Sequence, residues 1–183
     1  DAASGIEFLR TLKCFSKVGV LGHSEGGSIA FMLGAKGKVD FVISMAGIGV
    51  RGDTALTAQA NRLLELSGQP MRLSTLQYHV NAYMKKSPWL NFFMDYDPSG
   101  DITKTLCPVM AINGERDVQV ISSLNLIGIK GHLTENPKNF VKEYPALNHL
   151  FQHCTTGNVS EYRMIEETIS PEVLEDIARF IKQ

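Results

Sequence analysis

Residues 18–27 read VGVLGHSEGG, an apolar run that ends in a glycine-rich turn around Ser24. Gly22, Ser24 and Gly26 fit the pattern G-x-S-x-G, in which a strand turns sharply into a helix and exposes a serine at the apex. Glycine suits such a turn because neighbouring backbone passes too close for a Cβ atom. A chain with 16 glycines in 183 residues shows this pattern by chance with a probability of roughly 0.1. The surrounding sequence must therefore decide whether Ser24 is a nucleophile or a turn residue.

Short apolar runs alternate with helical patterns along the chain. The predicted strands are 17–21, 41–45, 109–112 and a less regular 140–144. The predicted helices are 4–15, 25–36, 119–130 and one that begins at Ser170-Pro171. Unbroken runs rich in Val and Ile are typical of strands buried on both faces of a parallel sheet. The alternation predicts an α/β fold with a mostly parallel sheet flanked by helices.

The stretch from Asp53 to Asp95 breaks this alternation and is predicted to be helical. It is rich in methionine and aromatic residues: Met71, Tyr78, Tyr83, Met84, Trp89, Phe92, Phe93 and Met94. These side chains pack an extra helical layer or line the inner side of a lid that receives a substrate, and the two interpretations are compatible. Trp89, Phe92 and Phe93 are the candidate pocket residues.

Candidate partners for Ser24 follow the later predicted strands. A serine hydroxyl is a poor nucleophile until a base removes its proton, and the base needs an acid that orients it. In a parallel sheet both residues belong in loops after the carboxyl ends of strands, which is where Asp117 and His149 occur. The chain order Ser24, Asp117, His149 is that of α/β-hydrolases. The backbone N–H of Glu25, at the start of the next helix, is the candidate oxyanion donor.

Five stretches of the chain resemble a group of bacterial α/β-hydrolase esterases: GHSEGG, MAGIGVRGD, CPVMAINGERDVQV, LNHLFQ and EYRMIEETISPEVL. The likeness runs over nearly the whole chain and implies Ser24 as nucleophile, Asp117 as acid and His149 as base. It implies one α/β-hydrolase-like domain over 1–183, a helical lid insertion at 51–95, and no metal or organic cofactor. It also implies that this sequence lacks the N-terminal strands of that fold, with the loop that supplies a second oxyanion N–H.

Other acids and histidines compete for the same roles. Glu115 shares a loop with Asp117, but the aspartate matches the G-x-x-D spacing of the resembling group, which leaves Glu115 as a solvated loop charge. His149 fits the Asn-His-Leu-Phe motif, so His153 is expected on the surface or beside the site. His23 is expected to pack within the turn and not to act as a base.

Three further side chains are expected to have structural roles. His79 and His132 have no acidic or metal-binding neighbours in sequence and are expected to be structural. The Glu25 carboxylate is expected to complement the helix dipole, although it could also pair with a substrate amine.

Together these residues predict a serine hydrolase that cleaves a carboxylic ester through an acyl-enzyme. Turnover is expected to be impaired in this chain, because no glycine-rich oxyanion loop precedes Lys17. An amide-cleaving serine peptidase uses the same machinery and is the nearest alternative. A non-catalytic hydrolase-like binding module is the alternative from another class.

Composition narrows the range of partners. A chain that is 44% hydrophobic and 20% charged, with net charge -1, offers no broad attraction to nucleic acid or to an anionic membrane. No apolar run reaches the roughly 18 residues needed to span a bilayer. No basic-then-apolar leader follows Asp1, so no export signal is predicted and the compartment stays open. The expected partner is a small-molecule ester.

Cys14, Cys107 and Cys154 are too few and too scattered for a disulfide framework or a metal site.

The strand at 17–21 is expected to be an open, apolar sheet edge, which is a template for another chain. The helix after Pro171 is expected to cover one sheet face alone, so we expect a homodimer or similar self-association across that edge or face.

Overall fold

The computed structural model describes residues 1–83 and 87–183. Within these residues one sheet contains the strands β1 (Val20–His23), β2 (Val42–Met45), β3 (Val109–Gly114) and β4 (Phe140–Tyr144), side by side in that order. Every neighbouring pair in this sheet is parallel. The predicted parallel α/β fold is confirmed, and the carboxyl ends of the four strands share one edge.

The two central strands are the most apolar and the most deeply buried. All residues of β2 and β3 are buried, as expected for strands covered on both faces. Alternate residues point to opposite faces. Val42 and Val109 therefore join one apolar cluster, whereas Ile43 and Met110 join another.

Helices cover both faces of the sheet and extend beyond its carboxyl edge. In the described ranges the α-helices are α1 (Ala2–Thr11), α2 (Glu25–Ala35), α3 (Gly52–Leu66), α4 (Thr75–Tyr83), α5 (Pro88–Asp95), α6 (Ser99–Lys104), α7 (Ser122–His132) and α8 (Pro171–Ile181). A 3₁₀ helix spans Val159–Met164. Helices therefore flank a parallel sheet, as the sequence pattern predicts.

Two predicted elements near the amino end are displaced. The helix expected at 4–15 ends at Thr11, because Lys13 adopts φ 53°, a left-handed conformation that a right-handed helix cannot contain. The strand expected at 17–21 begins at Val20, which pairs with Val42. Its bounds are therefore set by the ladder to β2, not by the limits of its own apolar run.

The amino-terminal region leaves apolar side chains in contact with solvent. Of the large side chains of α1, Ile6 is buried but Phe8 is 62% exposed. Strand β1 lies at the edge of the described sheet, and its Leu21 is 49% exposed.

Residues 51–95 contain α3, α4 and α5 in succession, with a non-helical connection at 67–74 between α3 and α4. Met84, one of the methionines predicted to pack there, lies outside the described residues. None of the described helices combines the length and the apolar character needed to cross a membrane.

A buried carboxylate attaches α8 to the sheet. Asp176 accepts hydrogen bonds from Lys142 Nζ at 2.7 Å and from Tyr144 Oη at 2.8 Å, both on β4. Burial alone would raise the pKa of Asp176, but these two hydrogen bonds, together with the positive charges of Lys142 and Arg179, lower that pKa below its ordinary value. The carboxylate is therefore ionised in the folded protein at neutral pH.

Candidate active site

Ser24 lies at the turn between β1 and α2. Its backbone has φ 56° and ψ -121°, a conformation that is costly for a residue with a side chain and that clusters at functional sites. The Ser24 N–H donates to the Met45 carbonyl at 2.8 Å, which holds the turn against β2. The backbone N–H of Glu25 belongs to the first turn of α2, where N–H groups have no partner within the helix. This turn presents both a hydroxyl and a backbone donor at the carboxyl edge of the sheet.

The glycines of this turn are not equivalent. A Cβ atom on Gly22 would lie 1.8 Å from the Gly26 carbonyl oxygen, so the turn cannot close around a larger residue. A Cβ atom on Gly26 would meet no atom within 4 Å. Close backbone approach therefore explains Gly22, whereas it does not explain Gly26.

Asp117 follows β3 and is brought against His149. Its Oδ2 lies 2.7 Å from His149 Nδ1, and its Oδ1 accepts the N–H groups of Gln119 and Val120. These backbone bonds occupy the residues where helix α7 was expected to begin, and the helix starts at Ser122 instead. An ionised carboxylate only accepts hydrogen bonds, so His149 Nδ1 carries the proton and its Nε2 is left as an acceptor.

His149 is held in a tight turn after β4 and is only 4% exposed. The preceding Asn148 is fully buried, and its Oδ1 accepts the N–H groups of Leu150 and Gln152. Among the described residues, no hydrogen bond joins His149 Nε2 to Ser24 Oγ. Such bonds are often long until substrate binds. The structure thus pairs Asp117 with His149 and places Ser24 at the same sheet edge.

His23 lies closer to this cluster than the sequence suggested. Its Nε2 donates to the His149 carbonyl at 2.8 Å, and the two ring centroids are 4.6 Å apart. Burial lowers the pKa of His23, so the ring remains a neutral packing partner. The expectation that His23 packs within the turn had not foreseen that its packing partner would be His149.

The competing residues occupy other positions. Glu115 accepts the Ala146 N–H at 2.8 Å, so it stabilises the turn before His149 and is not merely a solvated charge. His153 Nδ1 pairs with Glu167 Oε2 at 3.0 Å on the surface. Neither residue contacts the Asp117 carboxylate in the hydrogen bonds of the described ranges.

A cavity of about 160 Å³ opens beside Ser24. Its apolar lining residues are Ile48, Ala55, Leu56, Trp89, Phe93 and Val120. Its polar groups are Ser24, Glu25, Gln59 and Gln119. Two of the three candidate pocket residues therefore line it. The third, Phe92, is 61% exposed and stacks on Tyr96.

Two contacts of the 51–95 segment were not foreseen. Trp89 Nε1 donates to Glu25 Oε1 at 2.8 Å, whereas the sequence suggested that the Glu25 carboxylate complements the helix dipole or pairs with a substrate amine. His79, which has no acidic neighbour in sequence and was expected to be structural, lies 2.8 Å from Asp53 Oδ2, which also binds Arg51. Both contacts join residues that are far apart in sequence, so no local sequence pattern predicts them.

The site is built from groups suited to proton transfer and carbonyl chemistry. In residues 1–83 and 87–183 no group of three or more His, Cys, Asp or Glu side chains is arranged to hold a metal ion. The groups assembled near the carboxyl edge are instead a hydroxyl, an imidazole with a carboxylate partner, and a backbone donor.

Comparisons with known proteins agree with this architecture. The family model described as "BAAT / Acyl-CoA thioester hydrolase C terminal" matches residues 3–153. No curated protein sequence matches the chain. Among solved structures, an esterase from Pyrococcus furiosus, Pf2001, is similar at TM-score 0.59 and 15% identity, over 100% of this chain and 60% of that one.

Two other solved hydrolases have the same fold. The 2,6-dihydroxy-pseudo-oxynicotine hydrolase is similar at TM-score 0.52 and 15% identity, over 81% of this chain and 39% of that one. A meta-cleavage product hydrolase from Pseudomonas fluorescens IP01 is similar at TM-score 0.54 and 15% identity, over 91% of this chain and 65% of that one. The fold is that of α/β-hydrolases, and the chain spans less than two thirds of the length of each of these three proteins.

Proposed function

Because this chain belongs to the BAAT / acyl-CoA thioester hydrolase C-terminal family, we propose that it is a serine hydrolase that cleaves a carboxylic ester through an acyl-enzyme. The observation that carries the proposal is the 2.7 Å contact between Asp117 Oδ2 and His149 Nδ1, at the sheet edge where Ser24 is held in a strained turn. Ser24 is the proposed nucleophile, His149 the base and Asp117 the acid that orients it.

The first half of the reaction forms the acyl-enzyme. Ser24 Oγ attacks the ester carbonyl carbon while His149 Nε2 takes the hydroxyl proton, and Asp117 stabilises the imidazolium that results. The Glu25 N–H donates to the oxyanion of the tetrahedral intermediate. His149 then gives its proton to the departing alkoxide, the carbon–oxygen bond to the leaving group breaks, and the alcohol is released.

The second half returns the enzyme to its starting state. A water molecule attacks the acyl carbon while His149 Nε2 takes a proton from it. The tetrahedral intermediate collapses, Ser24 Oγ recovers the proton from His149, and the carboxylic acid leaves. Each proton that His149 accepts is thus given back within the same half-reaction.

Thioester hydrolysis is the second candidate, since the family description names an acyl-CoA thioester. The chemistry would pass through the same acyl-enzyme, and only the leaving group would change from an alkoxide to a thiolate. An amide substrate would need the same residues and a protonated amine as leaving group.

We further propose that residues 51–95 act as a lid within a single domain, because Trp89 and Phe93 line the cavity beside Ser24.

Self-association through β1 is a separate proposal. It is supported by the position of β1 at the edge of the described sheet and by the exposure of Leu21 and Phe8. Light scattering at tens of micromolar tests it: a dimer that Leu21→Lys converts to a monomer supports the proposal, and a native monomer contradicts it.

A covalent label tests the proposed nucleophile directly. A fluorophosphonate probe should label the native protein and the variant Ser16→Ala, which changes an exposed serine, but not Ser24→Ala. Turnover of p-nitrophenyl acetate, acetylthiocholine and p-nitroacetanilide then ranks ester, thioester and amide. A folded protein that takes no label and hydrolyses none of the three would be a non-catalytic binding module instead.

A further inference from the structure

The Trp89 ring is fixed in position by two contacts. Its Nε1 donates to Glu25 Oε1 at 2.8 Å, and its ring stacks on Phe93 with centroids 5.6 Å apart and planes inclined at 27°. Glu25 directly follows Ser24 in the chain, whereas Trp89 belongs to α5. The hydrogen bond therefore joins the helical segment 51–95 to the turn that carries the proposed nucleophile.

These contacts hold the indole in the wall of the cavity beside Ser24, where Trp89 is the most exposed of the apolar lining side chains. The cavity measures about 160 Å³ and has apolar walls that include Ile48, Ala55 and Val120. An apolar cavity of roughly 150 Å³ accommodates one benzene molecule, which has six carbon atoms. A larger apolar group requires a lining side chain to move, and the exposed indole is the apolar one least enclosed by its neighbours.

Packing alone does not require the hydrogen bond between the Glu25 carboxylate and the Trp89 indole. Trp89 remains 53% exposed, so stacking on Phe93 leaves much of the indole free to turn toward solvent. A charged acceptor makes a stronger hydrogen bond than a neutral one, and it fixes the orientation of the indole N–H. Glu25 is thus a positioning residue that acts through Trp89.

We propose that Trp89, held by Glu25, limits the acyl group that this protein accepts to a straight chain of about six carbons. The inference rests on the proposed function, because it takes the cavity beside Ser24 as the acyl site. It assigns to Glu25 a second role in addition to that of its backbone N–H: its side chain sets substrate length.

The protein contains one tryptophan, so its fluorescence reports Trp89 alone and measures binding without catalysis. The probes are butanamide, hexanamide and octanamide, titrated into the native protein and into Ser24→Ala. Each methylene buried in the cavity should tighten binding about fourfold, giving roughly a sixteenfold gain from butanamide to hexanamide. Octanamide should bind no more tightly than hexanamide.

Three variants test the origin of this limit. Glu25→Ala, which frees the indole, should let octanamide bind more tightly than hexanamide, whereas Glu25→Gln keeps an acceptor oxygen and should retain the limit. Ala55→Val adds two carbons to the cavity wall, so the longest chain that gains affinity should fall to about four carbons. A limit that is unchanged in Glu25→Ala, or native affinity that keeps rising through eight carbons, would overturn the proposal.

The same titrations separate this inference from the proposed function. If Ser24 takes no fluorophosphonate label while the length limit and its response to Glu25→Ala are both observed, the acyl-enzyme fails and the length limit stands as a property of a binding site. If labelling succeeds and the limit is absent, the length limit alone fails.

Discussion

The Asp117 carboxylate binds His149 Nδ1 at 2.7 Å while its other oxygen accepts the N–H groups of Gln119 and Val120. The backbone donors fix the carboxylate, and the carboxylate fixes the histidine tautomer. Asp117→Asn keeps the shape but can present an amide N–H to His149 Nδ1, which favours the wrong tautomer. We expect kcat to fall by about 10⁴, measured with p-nitrophenyl acetate.

Glu115→Gln is the matched control for that change. Glu115 lies two residues before Asp117 and its carboxylate accepts the Ala146 N–H, which a glutamine oxygen can also do. We expect kcat to remain within about twofold of the native value. Loss of activity in Glu115→Gln with retention in Asp117→Asn would transfer the acid role to Glu115.

Ser24 and His149 should behave as one catalytic unit. Ser24→Ala and His149→Ala are each expected to lower kcat by roughly 10⁴ or more, and the double variant should be little worse than either. The measurement is single-turnover and steady-state hydrolysis of p-nitrophenyl acetate by all three proteins. Additive losses would mean that the two residues act in separate steps.

The two outer glycines of the Ser24 turn should differ sharply in their tolerance of alanine. Gly22→Ala places a Cβ atom 1.8 Å from the Gly26 carbonyl oxygen, so we expect a loss of about 3 kcal/mol or more and a Tm lower by roughly 6 to 12 °C. Gly26→Ala enters open space in the first turn of α2 and should leave Tm unchanged or slightly higher. Thermal unfolding followed by circular dichroism distinguishes them, and equal Tm values would contradict the geometry of the turn.

Asp176 should make stability depend on pH. Its folded pKa is lowered by Lys142 and Tyr144 despite burial, so its stabilisation is complete above about pH 4 and is lost as pH falls through the lower folded pKa. Asp176→Asn should cost about 2 kcal/mol at pH 7, and this difference in stability from the native protein should shrink as the pH is lowered below about 4. A constant difference in Tm between pH 7 and pH 2 would exclude this linkage.

Sequence patterns predicted which segments form strands more reliably than the residues at which those strands begin and end. The run at 140–144 became β4 with the predicted bounds, and 109–112 became the core of β3. The first strand moved because an apolar run shows that a segment is buried, whereas its pairing depends on a partner elsewhere, here β2. Parallel strands have no turn that fixes their register locally.

Within the candidate site, the sequence predicted residues that follow strands, but it did not predict the long-range contacts between side chains. Ser24, Asp117 and His149 follow β1, β3 and β4, which a parallel sheet must bring to one edge. Phe92 and Phe93 are neighbours on a helix and point about 100° apart, so one faces the cavity and the other does not, and composition cannot choose between them. The Glu25–Trp89 hydrogen bond spans 64 residues, and no short motif encodes it.

The parallel connections also imply an order in which the site is assembled during folding. Asp117 and His149 are 32 residues apart in sequence, whereas His23 and His149 are 126 apart. Closing the longer, nearly fourfold larger loop costs about 1.2 kcal/mol more in chain entropy. We therefore expect β1 with β2, and β3 with β4, to dock first as two separate pairs. The Ser24 turn then forms early against Met45, and the acid meets the imidazole independently. The two parts of the site come together only when β2 joins β3, whose partners Val42 and Val109 are far apart in sequence.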